Sequence, residues 1–132
     1  WSAATHELLG RLPKEHGDLH VYAAAILGDF GVTGAHDKTA KLWSLGARTC
    51  TATLRGHSGS VRCVDVSEGA IATGSVDETA RIWSREGGAS HRTLQHYHCV
   101  LAVAVEGDTL ATGCWDAVVS TFSIASGQRT RI

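Results

Sequence analysis

An all-β fold built from a recurring unit of short strands is what this sequence predicts. Three observations carry that expectation. Fifteen glycines against one proline in 132 residues, with no sustained helical periodicity, describe many short elements joined by turns. Apolar blocks, alternating or unbroken over a few positions, sit between those turns as strands do. Three sets of landmarks then share one period: Val21, Val61 and Val100; Asp37, Asp77 and Asp116; and Trp43, Trp83 and Phe122, each spaced 40 and then 39 residues. Independent landmarks with a common spacing mark an internal repeat.

In the first unit, Val21 to Ile26 and Val32-Thr33-Gly34-Ala35 read as strands, and Asp37 to Trp43 as a turn leading into a third. After a turn over Ser44 to Ala47, Arg48 to Leu54 is a run of high β-propensity and supplies a fourth strand before Gly56-His57. The middle unit repeats the first three blocks as Val61 to Val66, Ala70 to Ser75 and Asp77 to Trp83. In the third they are Val100 to Val105, Leu110 to Cys114 and Asp116 to Phe122. Trp1 precedes His16 by 15 residues, much as Trp43 precedes His57 by 14, so Trp1 is expected to close an earlier unit. Phe122 to Ile132 is expected to stop within a last strand. With no Met in the sequence, the chain reads as a segment of something longer.

Composition narrows the function. Twelve Lys and Arg against thirteen Asp and Glu give a net charge of −1, spread along the chain, which speaks against nucleic acid or an anionic membrane as partner. The longest apolar runs, Val21 to Leu27 and Cys99 to Val105, fall well short of the roughly 20 residues a spanning helix needs. Cys50, Cys63, Cys99 and Cys114 show no C-x-x-C spacing and no secretory signal beside them. Reduced thiols in an intracellular protein, cytoplasmic or nuclear, are the expectation.

Gly56-His57, followed by a strand, then Thr73-Gly74-Ser75-Val76-Asp77 and Arg81-Ile82-Trp83, resembles the WD-repeat family. The resemblance runs over essentially the whole chain and implies an all-β, partial β-propeller of about three four-stranded WD-repeat blades, with further blades elsewhere. The units would be residues 1–43 (the end of one blade and the first full repeat), 44–83, 84–122, and 123–132 as the start of a next strand. It also implies a hydrogen-bonded tetrad in each blade: His57, Thr73, Asp77 and Trp83 in the middle unit, and His16, Thr33, Asp37 and Trp43 in the first. His16 lies one residue further from its strand than His57 does. In the third unit Thr112 and Asp116 are present, Phe122 has no N–H to donate, and either His96 or His98 fills the histidine place. Where the family carries an acidic residue after the aromatic, this chain has Ser44, Ser84 and Ser123, as it has Ser2 after Trp1. Short turns at Ser67-Glu68-Gly69 and Glu106-Gly107-Asp108 look like those of F-box/WD-repeat substrate receptors of ubiquitin ligases, whose adaptor and cullin would be reached through a segment outside this chain.

Eight histidines raise the alternative of a metal or catalytic domain, with His91, His96, His98 and Cys99, or His16 and His20, as ligands. A blade would set His96 in a turn and Cys99 at a strand start, with side chains alternating apart, so no metal or cofactor is expected. Gly56 to Ser60 lacks the last glycine of a nucleophile elbow, and Gly34 to Thr39 lacks the glycine before lysine of a P-loop. Asp37, Asp77 and Asp116 recur at one phase as turn formers do, and no enzyme is expected. The resemblance places the residue before each turn aspartate near the face where propellers bind partners: His36, Val76 and Trp115. Trp115 is the leading anchor. Ser58 and Ser60, flanking the loop after His57, are expected to share that rim, as is Arg62 if the strand begins a residue later, and Arg62 and Arg81 either read acidic or phosphorylated peptides or are solvated strand residues. A protein or peptide, phosphorylated or not, is thus the expected ligand of a non-catalytic scaffold, most specifically a ubiquitin-ligase substrate receptor, the alternative being a generic scaffold in signalling, trafficking or complex assembly.

Overall fold

The computed structural model describes residues 11–130, so Trp1 and its expected role lie outside the described residues. Within them the chain is all-β, with no helix. Strands β1 (Val21–Leu27), β2 (Phe30–Ala35), β3 (Ala40–Ser44) and β4 (Thr49–Leu54) form one antiparallel sheet in chain order. A second holds β5 (Val61–Val66), β6 (Ile71–Ser75), β7 (Thr79–Trp83) and β8 (Arg92–Gln95). The third holds β9 (Val100–Glu106), β10 (Thr109–Cys114), β11 (Val119–Ser123) and β12 (Arg129–Thr130). The first strands pack side by side, β1 on β5 and β5 on β9, so the sheets fan out from them as three blades of a β-propeller.

The apolar pattern follows from this stacking. Val32, Ala40, Leu42 and Leu54 of the first blade meet Val61, Val64, Val66, Ile71 and Trp83 of the second. Ala72, Ala80, Ile82 and Leu94 on its other side meet Val100, Val105, Leu110 and Phe122 of the third. The middle blade is covered on both faces, which is why all five residues of β6 are buried. β1 has one covered face and alternates instead, leaving Ile26 70% exposed. Asp65 bridges the second interface through its Oδ2, which accepts the Val105 N–H at 2.8 Å.

The Thr-Gly pair of each second strand has a packing reason. A Cβ on Gly74 would lie 2.4 Å from Cys63 Sγ and 2.6 Å from Val100 Cγ1, and one on Gly34 would lie 2.6 Å from Val61 Cγ1. Glycine there lets the next blade's first strand approach. At Gly113, the same phase of the third blade, the nearest atom is Ala102 Cβ at 3.6 Å, an ordinary contact.

The turn after each second strand is also uniform. Lys38, Glu78 and Ala117 are left-handed, with φ of 71°, 69° and 66°. In the first blade Lys38 donates its N–H to the Ala35 carbonyl and Ala35 donates to the Thr39 carbonyl, the pattern of a three-residue hairpin loop with a bulge. The side chains at 36, 76 and 115 stand at the tips of these loops.

Candidate functional site

Each of the first two blades threads a chain of polar groups through its interior. In the middle blade Trp83 Nε1 donates to Thr73 Oγ1 at 2.8 Å. Thr73 Oγ1 is 2.7 Å from His57 Nε2, and His57 Nδ1 is 2.8 Å from Asp77 Oδ2. Asp77 Oδ1 accepts the hydroxyl of Thr79 at 2.6 Å and its N–H at 2.9 Å, and Oδ2 accepts the Ser58 N–H at 3.0 Å. One proton arrangement satisfies every group: indole to threonine, threonine to Nε2, Nδ1–H to carboxylate. The ring is therefore neutral. Burial pushes the His57 pKa down, and the opposing pull of Asp77 does not restore it. Burial pushes Asp77 up, but the Thr79 hydroxyl and the His57 ring outweigh it and hold the carboxyl below its ordinary range.

The first blade repeats this geometry. Trp43 Nε1 donates to Thr33 Oγ1 at 2.9 Å, and His16 lies 2.8 Å from Thr33 Oγ1 and 2.7 Å from Asp37 Oδ2. Asp37 sits below its usual range as well, where burial is outweighed by His16 and Thr39. The extra residue after His16 is taken up around Gly17, at φ 65°.

The third blade departs from the expected set. Its histidine is His96, buried, with Nε2 2.9 Å from Thr112 Oγ1; His98 is exposed. Asp116 does not join it. His96 Nδ1 points to the Leu94 carbonyl at 3.0 Å, and the exposed Asp116 carboxylate accepts only the Val118 N–H, at 3.0 Å. Val118 stands where Thr39 and Thr79 stand, and its apolar side chain gives Asp116 nothing to fold back onto. Phe122 meets the His96 ring edge-on at 5.6 Å in place of an indole donor.

The serines after the aromatics have a visible compensation. Ser44 Oγ donates to Asp29 at 3.0 Å, and Ser123 Oγ to Asp108 at 2.6 Å, while the same aspartates accept the Gly46 and Ala125 N–H groups at 2.6 and 2.7 Å. In these two blades an acidic group thus stands across from the serine, in the turn between the first two strands. In the middle blade Gly69 occupies that place, and Ser84 bonds Glu86.

The residues that precede the three turn aspartates lie at the surface. His36, Val76 and Trp115 are exposed, Trp115 by 75%. Their N–H groups donate in turn to the carbonyls of His20, Ser60 and Cys99, at 2.8, 3.1 and 3.0 Å. Ser60 Oγ lies 3.0 Å from His36 Nδ1, and Arg62 is exposed beside them. Ser58 is exposed in the loop that carries His57. Arg81 is half-buried on β7 and donates to Ser90 Oγ at 3.0 Å. Tyr22 and Leu101 were missed by sequence reasoning, though they share the phase of Arg62, one residue into each first strand, and that spacing was the available signal. Among the described residues no group of three or more His, Cys, Asp or Glu side chains is placed to hold a metal. Burial pushes the Cys63 thiol up to about 12, which leaves it unreactive. Among the described residues no helix is long and apolar enough to cross a membrane.

Residues 48–84 match the family described as WD domain, G-beta repeat. The match runs from before β4 to after β7 and so straddles two blades. Mitochondrial division protein 1 of Aspergillus oryzae is 40% identical over 52 residues, 39% of this chain and 8% of that protein. Mitochondrial division protein 1 of Schizosaccharomyces pombe is 29% identical over 119 residues, covering 73% and 18%. The DENN domain and WD repeat-containing protein SCD1 of Arabidopsis thaliana is 30% identical over 126 residues, covering 93% and 10%. The chain thus spans less than a fifth of the length of these relatives. Among solved structures, the computationally designed Ika4 protein superposes with a TM-score of 0.83 at 23% identity, over 93% of this chain and 79% of that one. At that identity the likeness shows the fold alone. Together the repeat match and the relatives support the WD-repeat family for this chain.

Proposed function

We propose that the chain is a non-catalytic interaction module, part of a WD-repeat scaffold that holds a protein or peptide against the rim of its blades. The observation that carries this is the turn-tip position. In all three blades its N–H donates to the carbonyl just before the first strand and the residue two positions on is left-handed, yet it presents histidine, valine and tryptophan to solvent. A position fixed in space and free in chemistry is what recognition uses. Further blades of a parent protein are the natural cover for the third blade's outer face, where Gly113 meets only an ordinary contact. The free cysteines accord with an intracellular, reducing setting. A ubiquitin-ligase substrate receptor is a narrower form of the same role. It rests on the short turns, and the relatives named above lend it no support.

The test is affinity purification of the full-length protein with His36, Val76 and Trp115 intact or all changed to alanine, followed by mass spectrometry. All three side chains are exposed, so the melting temperature should not change. The expected result is a discrete set of partners lost from the variant. An unchanged set would overturn the rim as the binding surface.

A further inference from the structure

The rim is one connected track. His36 Nδ1 meets Ser60 Oγ at 3.0 Å, the Ser60 carbonyl accepts the Val76 N–H at 3.1 Å, the Val76 carbonyl accepts from Cys99 Sγ at 3.6 Å, and the Cys99 carbonyl accepts the Trp115 N–H at 3.0 Å. These contacts lead from the first blade to the third without a break.

The two ends of the track differ in chemistry. At the first, the Tyr22 hydroxyl lies 3.1 Å from His36 Nδ1, and the Arg62 guanidinium stacks on the Tyr22 ring, 4.3 Å from its centroid. Among the described residues Arg62 has no hydrogen-bonding or ion-pair partner. Stacking fixes one face of the guanidinium and leaves free the edge of N–H donors that pairs bidentately with carboxylate or phosphate. Towards the other end Leu101 and Trp115 are each exposed, Trp115 by 75%, with Val76 exposed midway. Asp116, next to Trp115, is exposed too and brings the opposite charge. An acidic ligand residue is drawn to the Arg62 end and repelled at the Trp115 end, so the charges select one register.

We infer that the rim binds a short extended peptide in a single register, with its carboxylate or phosphate on Arg62 beside His36 and Ser60, and a bulky apolar side chain on Trp115 and Leu101. This rests on the rim being the binding surface, as proposed above. The ligand is acidic because the unpaired cation at one end has no acceptor of its own, and it is apolar at the other end because exposed tryptophan gains most from an apolar cover.

The test is fluorescence polarisation of full-length protein with short synthetic peptides. They carry glutamate, phosphoserine or asparagine at one position and tryptophan, leucine or alanine at another, at varied spacing. Binding should be tightest where both features are present and weaker with either one alone, and the glutamate and phosphoserine arms identify which anion the site takes. Arg62→Ala should weaken the acidic peptides about tenfold, as loss of a charged hydrogen-bonded pair does, and leave the asparagine peptides unchanged. Trp115→Ala should weaken the tryptophan and leucine peptides while the preference for acid survives. Equal binding of acidic and neutral peptides, or indifference to Arg62→Ala where Trp115→Ala abolishes binding, would overturn the acidic reading and leave the rim standing. Failure of every peptide, or indifference to both variants, would overturn the inference and the rim together.

Discussion

Asp77 accepts the Nδ1–H of His57 at 2.8 Å and thereby fixes the direction of every hydrogen bond behind it. With Nδ1 as donor, Nε2 accepts from Thr73, which leaves the threonine oxygen open for the indole N–H of Trp83 at 2.8 Å. Trp83→Phe removes the last donor from a buried oxygen. The expected cost is about 1–3 kcal/mol, read from the urea midpoint at constant m-value. A midpoint unchanged from wild type would show that the chain of bonds contributes nothing to stability.

The same direction predicts how stability depends on pH. Protonated His57 has no acceptor site for Thr73, and its folded pKa lies below the ordinary value because of burial. His96, where burial outweighs the Leu94 carbonyl, shifts the same way. Below about 6.5 the unfolded chain takes up protons that the folded one refuses, so stability is full above that pH and declines toward the folded pKa values. Asp37 and Asp77, held below the usual carboxylate range, contribute stability that is present above about 3.9 and lost as pH falls through their folded values. The melting temperature should therefore be level from pH 8 to 7 and fall in two stages on acidification. A level profile down to pH 5 would contradict the neutral histidines.

How far the sequence could be read depends on which residues repeat. Val21, Asp37 and Trp43 recur at one spacing because each fills a slot that every blade must fill, so blade number, strand order and the polar chain were legible. The third blade was less so. Asp116 keeps the turn, where its carboxylate caps the Val118 N–H, and does not reach the histidine; the residue that differs, Val118 where the other blades have threonine, lies two positions beyond the landmark and so went unread. The serine–aspartate exchange was hidden for a related reason. Asp29 and Asp108 face Ser44 and Ser123 across 15 residues of sequence, and the middle blade lacks the aspartate. Tyr22, Arg62 and Leu101 went unread as a set because three unlike side chains at one phase carry no pattern until the backbone brings them to one surface.

Gly74 and Gly113 occupy the same phase in different surroundings, which makes them a matched pair. Alanine at 74 would set a methyl within 2.6 Å of Val100 Cγ1, between two packed strands that cannot part without opening the core. Gly74→Ala should cost about 1–3 kcal/mol, as overpacking does. In the 132-residue chain Gly113→Ala should be close to neutral, its methyl resting 3.6 Å from Ala102 Cβ. Thermal melts of the two variants decide it, and equal losses would mean that blade packing is not what selects glycine.

The middle blade offers a gain to be made. Gly69 stands where Asp29 and Asp108 serve their blades, and a Cβ there meets nothing within 4 Å. Ser84 meanwhile bonds the exposed Glu86, whose pKa is lowered by that contact. A new carboxylate at 69 would compete with Glu86 and repel it, so the comparison belongs in a Glu86→Ala background, where the Ser84 hydroxyl loses its present acceptor. There Gly69→Asp should accept from Ser84 Oγ and from the N–H of residue 86, as Asp29 does from Ser44 and Gly46. The expected stabilisation is about 0.5–1.5 kcal/mol over Glu86→Ala alone, by urea titration. Were the double variant no more stable than the single one, the carboxylate in this turn would be an accident of two blades and not the partner of the serine.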